Sequence, residues 1–164
     1  MDEIYIGKLV NTRGLKGEVK VISDFEFKDK AFKVGNIVYI NGRGYTIKHY
    51  STFKQFILLQ FEGIDDINRV EVLKGSDITI LRSALEMNDD DYLLSDLIDM
   101  TVVNGDEELG TVYDYTTGVN PLLEVKYNNK SYYIPLNSSY IEHVDKNEKK
   151  VYVIESAKGL ILWK

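Results

Sequence analysis

Apolar and polar residues alternate along most of this chain, at the two-residue period of half-buried strands. In the first half the alternation predicts strands at Ile4 to Val10, Gly17 to Ile22, Ile37 to Ile40, Tyr45 to Tyr50, Phe56 to Phe61 and Asp77 to Leu81. Asn41-Gly42-Arg43-Gly44 predicts a hairpin turn, because Asn and Gly accept left-handed backbone geometry. Gly14 and Gly17 punctuate the bend between the first two strands and prescribe a tight, exposed loop. The period turns helical once, at about Asp66 to Lys74, where Ile67, Val70 and Leu73 share a face. Asp65 and Asp66 can cap that helix and Gly75 can stop it, while Asn68 and Glu71 lie off its apolar face.

Between Arg82 and Asp91 the periodicity stops and acids accumulate, in RSALEMNDDD. That composition predicts an exposed joint, placing one domain at 1–84, an acidic linker at 85–91 and a second domain at 92–164. Alternation resumes at Thr101 to Val103, Leu109 to Tyr115, Leu122 to Tyr127, Ser131 to Ile134 and Val151 to Ile154. Asn104-Gly105 and Asn128-Asn129 predict hairpin turns, and Asp145 to Lys150 a longer polar turn. Ala157 to Trp163 would close the second unit. The expected fold class is all-β: two small barrels, the first six-stranded with one short helix, the second of five or six strands.

Charge changes this picture more than bulk composition does. The net charge of −6 is divided: residues 1–84 hold 13 Lys+Arg against 11 Asp+Glu, or +2, and residues 85–164 hold 7 against 15, or −8. An acidic unit repels phosphate backbones and attracts basic proteins; a mildly basic one does the reverse. Arg13, Lys16 and Lys20 crowd the Gly14–Gly17 bend, where they add nothing to a core and can meet an anionic partner. With no cysteine, disulfides, thiolate metal sites and thiol nucleophiles are excluded, which suits a cytoplasmic protein. No apolar run approaches the roughly 18 residues of a membrane helix, and the acidic start MDEIYIG is unlike a signal peptide.

Catalytic equipment is not visible. His49 and His143 are the only histidines and fall in different predicted domains, without clustered metal ligands. Gly14-Leu15-Lys16-Gly17 lacks the spacing and the Lys-Ser/Thr pair of a phosphate loop, and a strand follows where a helix should. Asp89-Asp90-Asp91 lacks the alternating ligands of a calcium loop and reads as a solvated linker.

Four ordered segments carry a resemblance. GKLVNTRGLKGEVKV (Gly7 to Val21) is similar to the opening glycine pattern of the RimM family of ribosome maturation factors. FEGIDDINRVEVLKG places Gly63, Asn68, Glu71 and Gly75 on family positions. DLIDMTVV and LGTVYDYTTGVNPLLEV, the latter containing Asn120, resemble the family's C-terminal PRC barrel, with Ile134-Pro135 and Gly159-Leu160 beyond. The likeness runs from about Ile4 to Leu162.

What the resemblance implies is a non-catalytic, cofactor-free assembly factor; the expected location is cytoplasmic, and a monomer is the default expectation, with the oligomeric state left open by the sequence. It would bind the small ribosomal subunit precursor through small-subunit ribosomal protein nineteen, a basic protein of the subunit head, and promote head maturation and rRNA processing. Arg13, Gly14, Lys16, Gly17 and Lys20 would lie at rRNA. Tyr92, Leu93 and Asn120 would contact the ribosomal protein or subunit. Family members often carry two adjacent tyrosines after the linker; here Tyr92 is followed by Leu93, which keeps an apolar anchor but loses a ring and hydroxyl. The alternative, from another class, is a direct rRNA-binding barrel using aromatics such as Tyr5, Tyr39, Tyr45, Phe53 and Phe56.

Overall fold

A computed structural model describes residues 2–162, so Trp163 of the expected closing segment lies outside the described residues. Between Met87 and Asn88 the chain divides into two compact units.

In the first unit, β1 (Glu3–Arg13), β2 (Glu18–Ile22), β3 (Ile37–Ile40), β4 (Arg43–Phe53), β5 (Phe56–Phe61) and β6 (Asp77–Leu81) pair in the cyclic order β1-β2-β5-β4-β3-β6 and close a barrel. The alternation explains why. Val19 and Val21, Val38 and Ile40, and Ile78 and Ile80 point inward from their strands and are fully buried. Each such side chain contributes about 1.5–3 kcal/mol on leaving water. The β3–β4 turn is narrower than expected, since Ile40 pairs with Arg43 and only Asn41 and Gly42, at φ 52° and 81°, form the loop. β4 runs on to Phe53, three residues past the predicted end, although every residue from Lys48 to Phe53 is exposed.

The predicted helix shrinks to α2 (Asn68–Glu71), with Asp66 Oδ1 accepting the Asn68 amide at 2.9 Å and Val70 buried beneath it. A second short helix, α1 (Lys28–Ala31), was not legible in the sequence. Burial of Ala31 and Phe32 holds it, and Asn36 Nδ2 caps its end by donating to the carbonyls of Lys30 and Ala31 at 2.7 and 3.1 Å. A 3-10 turn at Arg82–Leu85 buries Leu85 completely, so the first unit is ordered past Ala84. Lys30 Nζ donates to the Glu86 carbonyl at 2.9 Å, tying the front of the acidic joint to that unit. At the other end, Lys146 Nζ donates to the Asp91 carbonyl at 2.8 Å within the second unit.

The second unit is one six-stranded sheet: β7 (Thr101–Asn104), β8 (Glu107–Tyr115), β9 (Leu122–Tyr127), β10 (Lys130–Pro135), β11 (Ile141–Asp145) and β12 (Lys150–Val153), in the order β10-β9-β8-β7-β12-β11. Its core joins Val102, Leu109, Val112, Leu123, Val125, Ile134, Val151 and Val153 to Leu97 and Ala157 of two 3-10 turns, Leu94–Leu97 and Glu155–Leu160. Tyr132 is buried among them, and its hydroxyl donates to the Leu109 carbonyl at 2.8 Å. Burial pushes the Tyr132 phenol far above its ordinary range, so it stays a neutral donor. The expected Asn104-Gly105 turn is displaced by one residue: Asn104 pairs with Glu107, and Gly105-Asp106 makes the turn. Asn128-Asn129 does form its two-residue loop, at φ 53° and 64°.

Candidate functional site

The Gly14–Gly17 bend joins β1 to β2, and both glycines occupy the left-handed region at φ 69° and 87°. Three bonds from elsewhere in the unit fix the loop. The Ile67 amide donates to the Leu15 carbonyl at 3.0 Å, Gln60 Nε2 donates to the Lys16 carbonyl at 3.1 Å, and Thr12 Oγ1 donates to Glu71 Oε1 at 3.2 Å. Glu71 also pairs with Lys74 at 2.9 Å, and that hydrogen bond leads in holding its carboxyl below the ordinary range. The helical segment predicted from its period therefore serves as the buttress of the bend. Gly17 is buried against it, and an added Cβ would lie 3.2 Å from Ile64 Cγ2. Gly17→Val should cost roughly 1–3 kcal/mol of backbone strain, read as a lower melting temperature; an unchanged one would refute the constraint.

Held this way, the bend exposes Arg13, Lys16 and Leu15, the last at 79%. The cations meet aromatic rings of the neighbouring β4–β5 hairpin. The Arg13 guanidinium carbon lies 4.6 Å from the Phe53 ring centre, Lys54 Nζ lies 5.4 Å from the same ring, and Lys20 Nζ lies 5.1 Å from Phe56. Exposed contacts of this kind contribute only about 0.5–1 kcal/mol each. Their consequence is placement: positive charge is concentrated beside two rings at one hairpin tip. From sequence, Phe53 and Phe56 stand only among many aromatics, and Lys54 does not stand out. A signal was present, since residues 30–61 contain five Lys+Arg and no Asp or Glu.

In the second unit the three singled-out residues have different surroundings. Tyr92 is half-buried against the core, which raises its phenol pKa by desolvation. Leu93 is only 1% exposed, so its side chain is packed inside rather than offered as an apolar anchor. Asn120 is exposed on the bend after β8, next to Val119 at 96% exposure. The acidic character gathers on the β7–β8 hairpin, where Asp106, Glu107 and Glu108 are exposed in succession. Lys158 pairs with Glu107 at 2.6 Å and Glu155 at 3.3 Å, and the hydrogen bond to Glu107 leads in raising its ammonium pKa. On the adjoining strands, Tyr113 donates to Glu124 at 2.5 Å; that bond raises its pKa to about 12, and Lys126 stands 4.3 Å from the ring. Among the described residues no group of three or more His, Cys, Asp or Glu is arranged to hold a metal ion.

Comparison with known proteins places both units. The RimM N-terminal domain matches residues 4–85, and the RimM PRC barrel domain matches residues 94–157. The ribosome maturation factor RimM of Geobacillus thermodenitrificans is 37% identical over 166 residues, covering 95% of this chain and 94% of that protein. Its counterpart in Staphylococcus aureus strain bovine RF122 is 35% identical, covering 96% and 98%. The solution structure of the N-terminal domain of RimM from Thermus thermophilus aligns with a TM-score of 0.46 at 19% identity, covering 53% of this chain and 98% of that one. Two matched domains in order, and relatives this similar over nearly the full length, establish that the chain belongs to the RimM family of ribosome maturation factors.

Proposed function

We propose that this protein is a non-catalytic assembly factor that docks its acidic C-terminal unit on a basic protein of the small-subunit head, small-subunit ribosomal protein nineteen, in the cytoplasm where ribosomes are built. The observation that carries the reading is the division of charge, with −8 in residues 85–164 against +2 in residues 1–84. Asp106, Glu107 and Glu108 put part of that charge on an exposed hairpin, and Val119 adds an apolar point beside Asn120. Carboxylates around scattered apolar groups suit a cationic protein surface and repel bare RNA. The exposed bend with Arg13, Lys16 and Lys20 then meets rRNA phosphates, with Gly14 and Gly17 setting its shape.

Holding one surface of the head protein biases a late rearrangement of the subunit head and the processing of its rRNA through binding energy alone. Preference for one of two conformers needs only differential affinity of a few kcal/mol. Release follows when the mature arrangement competes for the same surface.

The test is capture of purified small-subunit proteins by the full-length protein at low and high salt. A single basic head protein should be retained and should dissociate as salt rises. The variant Asp106→Asn, Glu107→Gln, Glu108→Gln should bind it about tenfold more weakly, since exposed pairs contribute at most about 1 kcal/mol each. Retention that ignores both salt and these substitutions would contradict the electrostatic account.

A further inference from the structure

We propose that the tip of the β4–β5 hairpin is a stacking site for one or two unpaired nucleotides of RNA, with Phe53 and Phe56 as the platform. The inference deepens the rRNA contact of the N-terminal unit and rests on that reading. Phe53 and Phe56 pair directly across the two-residue turn Lys54-Gln55, with Lys54 at φ 55°. Phe53 remains 39% exposed at the end of β4, whose residues from Lys48 to Phe53 are all exposed. A core-building role does not explain an aromatic residue at that position. Arg13, Lys20 and Lys54 arrive from three different elements, and each stands within 5.4 Å of one of the two ring centres.

This combination fits a nucleotide chain better than other anions. A base has a π-face for the ring, and its own phosphates lie beside it for the cations. Base stacking on an aromatic ring is stronger than an exposed cation–π contact. An incoming base therefore displaces a lysine or arginine from the ring face, and the freed cation moves to the phosphate. Duplex RNA keeps its base faces covered and cannot make this exchange. A lipid surface is a poorer match, because KHYSTFKQ, Lys48 to Gln55, carries no Leu, Ile, Val or Met side chain to insert. The charge setting agrees, since no carboxylate occurs between Asp29 and Glu62. The modest net charge of the unit predicts weak, salt-sensitive binding that matters once the protein is already held on the subunit.

The experiment uses the full-length protein with a fluorescent uridine oligonucleotide of about ten nucleotides, within the usual span of a single-strand site. A blunt RNA duplex and anionic phospholipid vesicles serve as competitors, all at low salt. The single strand should bind more tightly than the duplex. Phe53→Ala should weaken single-strand binding by about five- to a hundredfold, Phe53→Trp should preserve it, and the melting temperature should not move. Arg13→Gln with Lys54→Gln should weaken it at least threefold and flatten its salt dependence. Equal affinity of the Phe53→Ala variant, preference for the duplex, or Phe53-dependent binding to vesicles alone would overturn the proposal. The hairpin variant Asp106→Asn, Glu107→Gln, Glu108→Gln should bind the oligonucleotide as the parent does, so failure of the ribosomal-protein contact and failure of the stacking site are separately visible.

Discussion

Gly110→Ala is expected to unfold much of the C-terminal unit at temperatures where the parent is folded, and Gly110→Val to do little worse. Gly110 sits in β8 at φ 119°, a region that L-residues rarely enter. Its missing side chain is replaced by the neighbouring strand: an added Cβ would overlap the Lys126 carbonyl oxygen and stand 2.8 Å from Val125 Cγ1 and 3.0 Å from Tyr127 Cβ. Those atoms cannot retreat, because β9 is hydrogen-bonded between β8 and β10 and Val125 is fully buried. Strain from the backbone conformation and from overpacking together cost roughly 2–5 kcal/mol. Domains of this size have only about 5–15 kcal/mol of stability. Since the first added carbon already collides, alanine carries most of the penalty. Hydrogen exchange gives the readout: protection should fall across β7 to β12 and persist in β1 to β6. An alanine variant with unchanged protection and melting would show that the sheet can open at this point without penalty.

Gly110 lies inside a segment singled out for its family likeness, yet its structural burden was not legible. Sequence reports that a glycine is present, whereas the need for it arises from how closely β9 approaches. The same distinction runs through the molecule. The barrel strands were readable because one face of each is solvated, so Val19, Val21, Ile78 and Ile80 alternate with polar neighbours. β11 was not, because in Ile141–Asp145 no residue is fully buried and the period disappears. Its place follows from pairing with β12, which in turn runs parallel to β7 with Lys150 opposite Thr101, a long-range partnership without a turn signature. α1 escapes a sequence reading for a related reason: four residues are too few to display a helical period, and α1 depends on burial of Ala31 and Phe32.

The candidate sites divide in the same way. Arg13, Lys16 and Lys20 could be chosen from sequence because Gly14 and Gly17 mark an exposed bend. Lys54 is the next residue after Phe53, but the approach of Arg13 to that ring depends on the barrel order β1-β2-β5-β4, which is not local in sequence. Exposure, too, is a tertiary property. Tyr92 and Leu93 are neighbours in the chain and read together as a contact pair, but only the tyrosine retains accessible surface.

That difference yields opposite expectations for two adjacent substitutions. Leu93→Ala should destabilise the protein by about 2–5 kcal/mol, the range for truncating a buried leucine, because the cavity left behind collapses only in part. Its attachment to small subunits, measured below the melting transition, should be close to that of the parent. Tyr92→Ala should show the reverse balance. The ring is partly packed on the core, so some stability is lost, but its exposed part is available to a partner and aromatic truncation at a contact commonly costs above about 1 kcal/mol of binding. Co-sedimentation with small-subunit precursors should therefore weaken about tenfold for Tyr92→Ala and little for Leu93→Ala. Equal loss of attachment in both variants at matched folded fraction would mean that the segment acts through its backbone or as one rigid block, and unaltered attachment of Tyr92→Ala would make that ring purely structural. A Leu93→Tyr variant separates the readings further. Enlarging a side chain that is already 1% exposed overpacks its site. A second tyrosine beside Tyr92 should then lower stability here unless the surrounding side chains were changed with it.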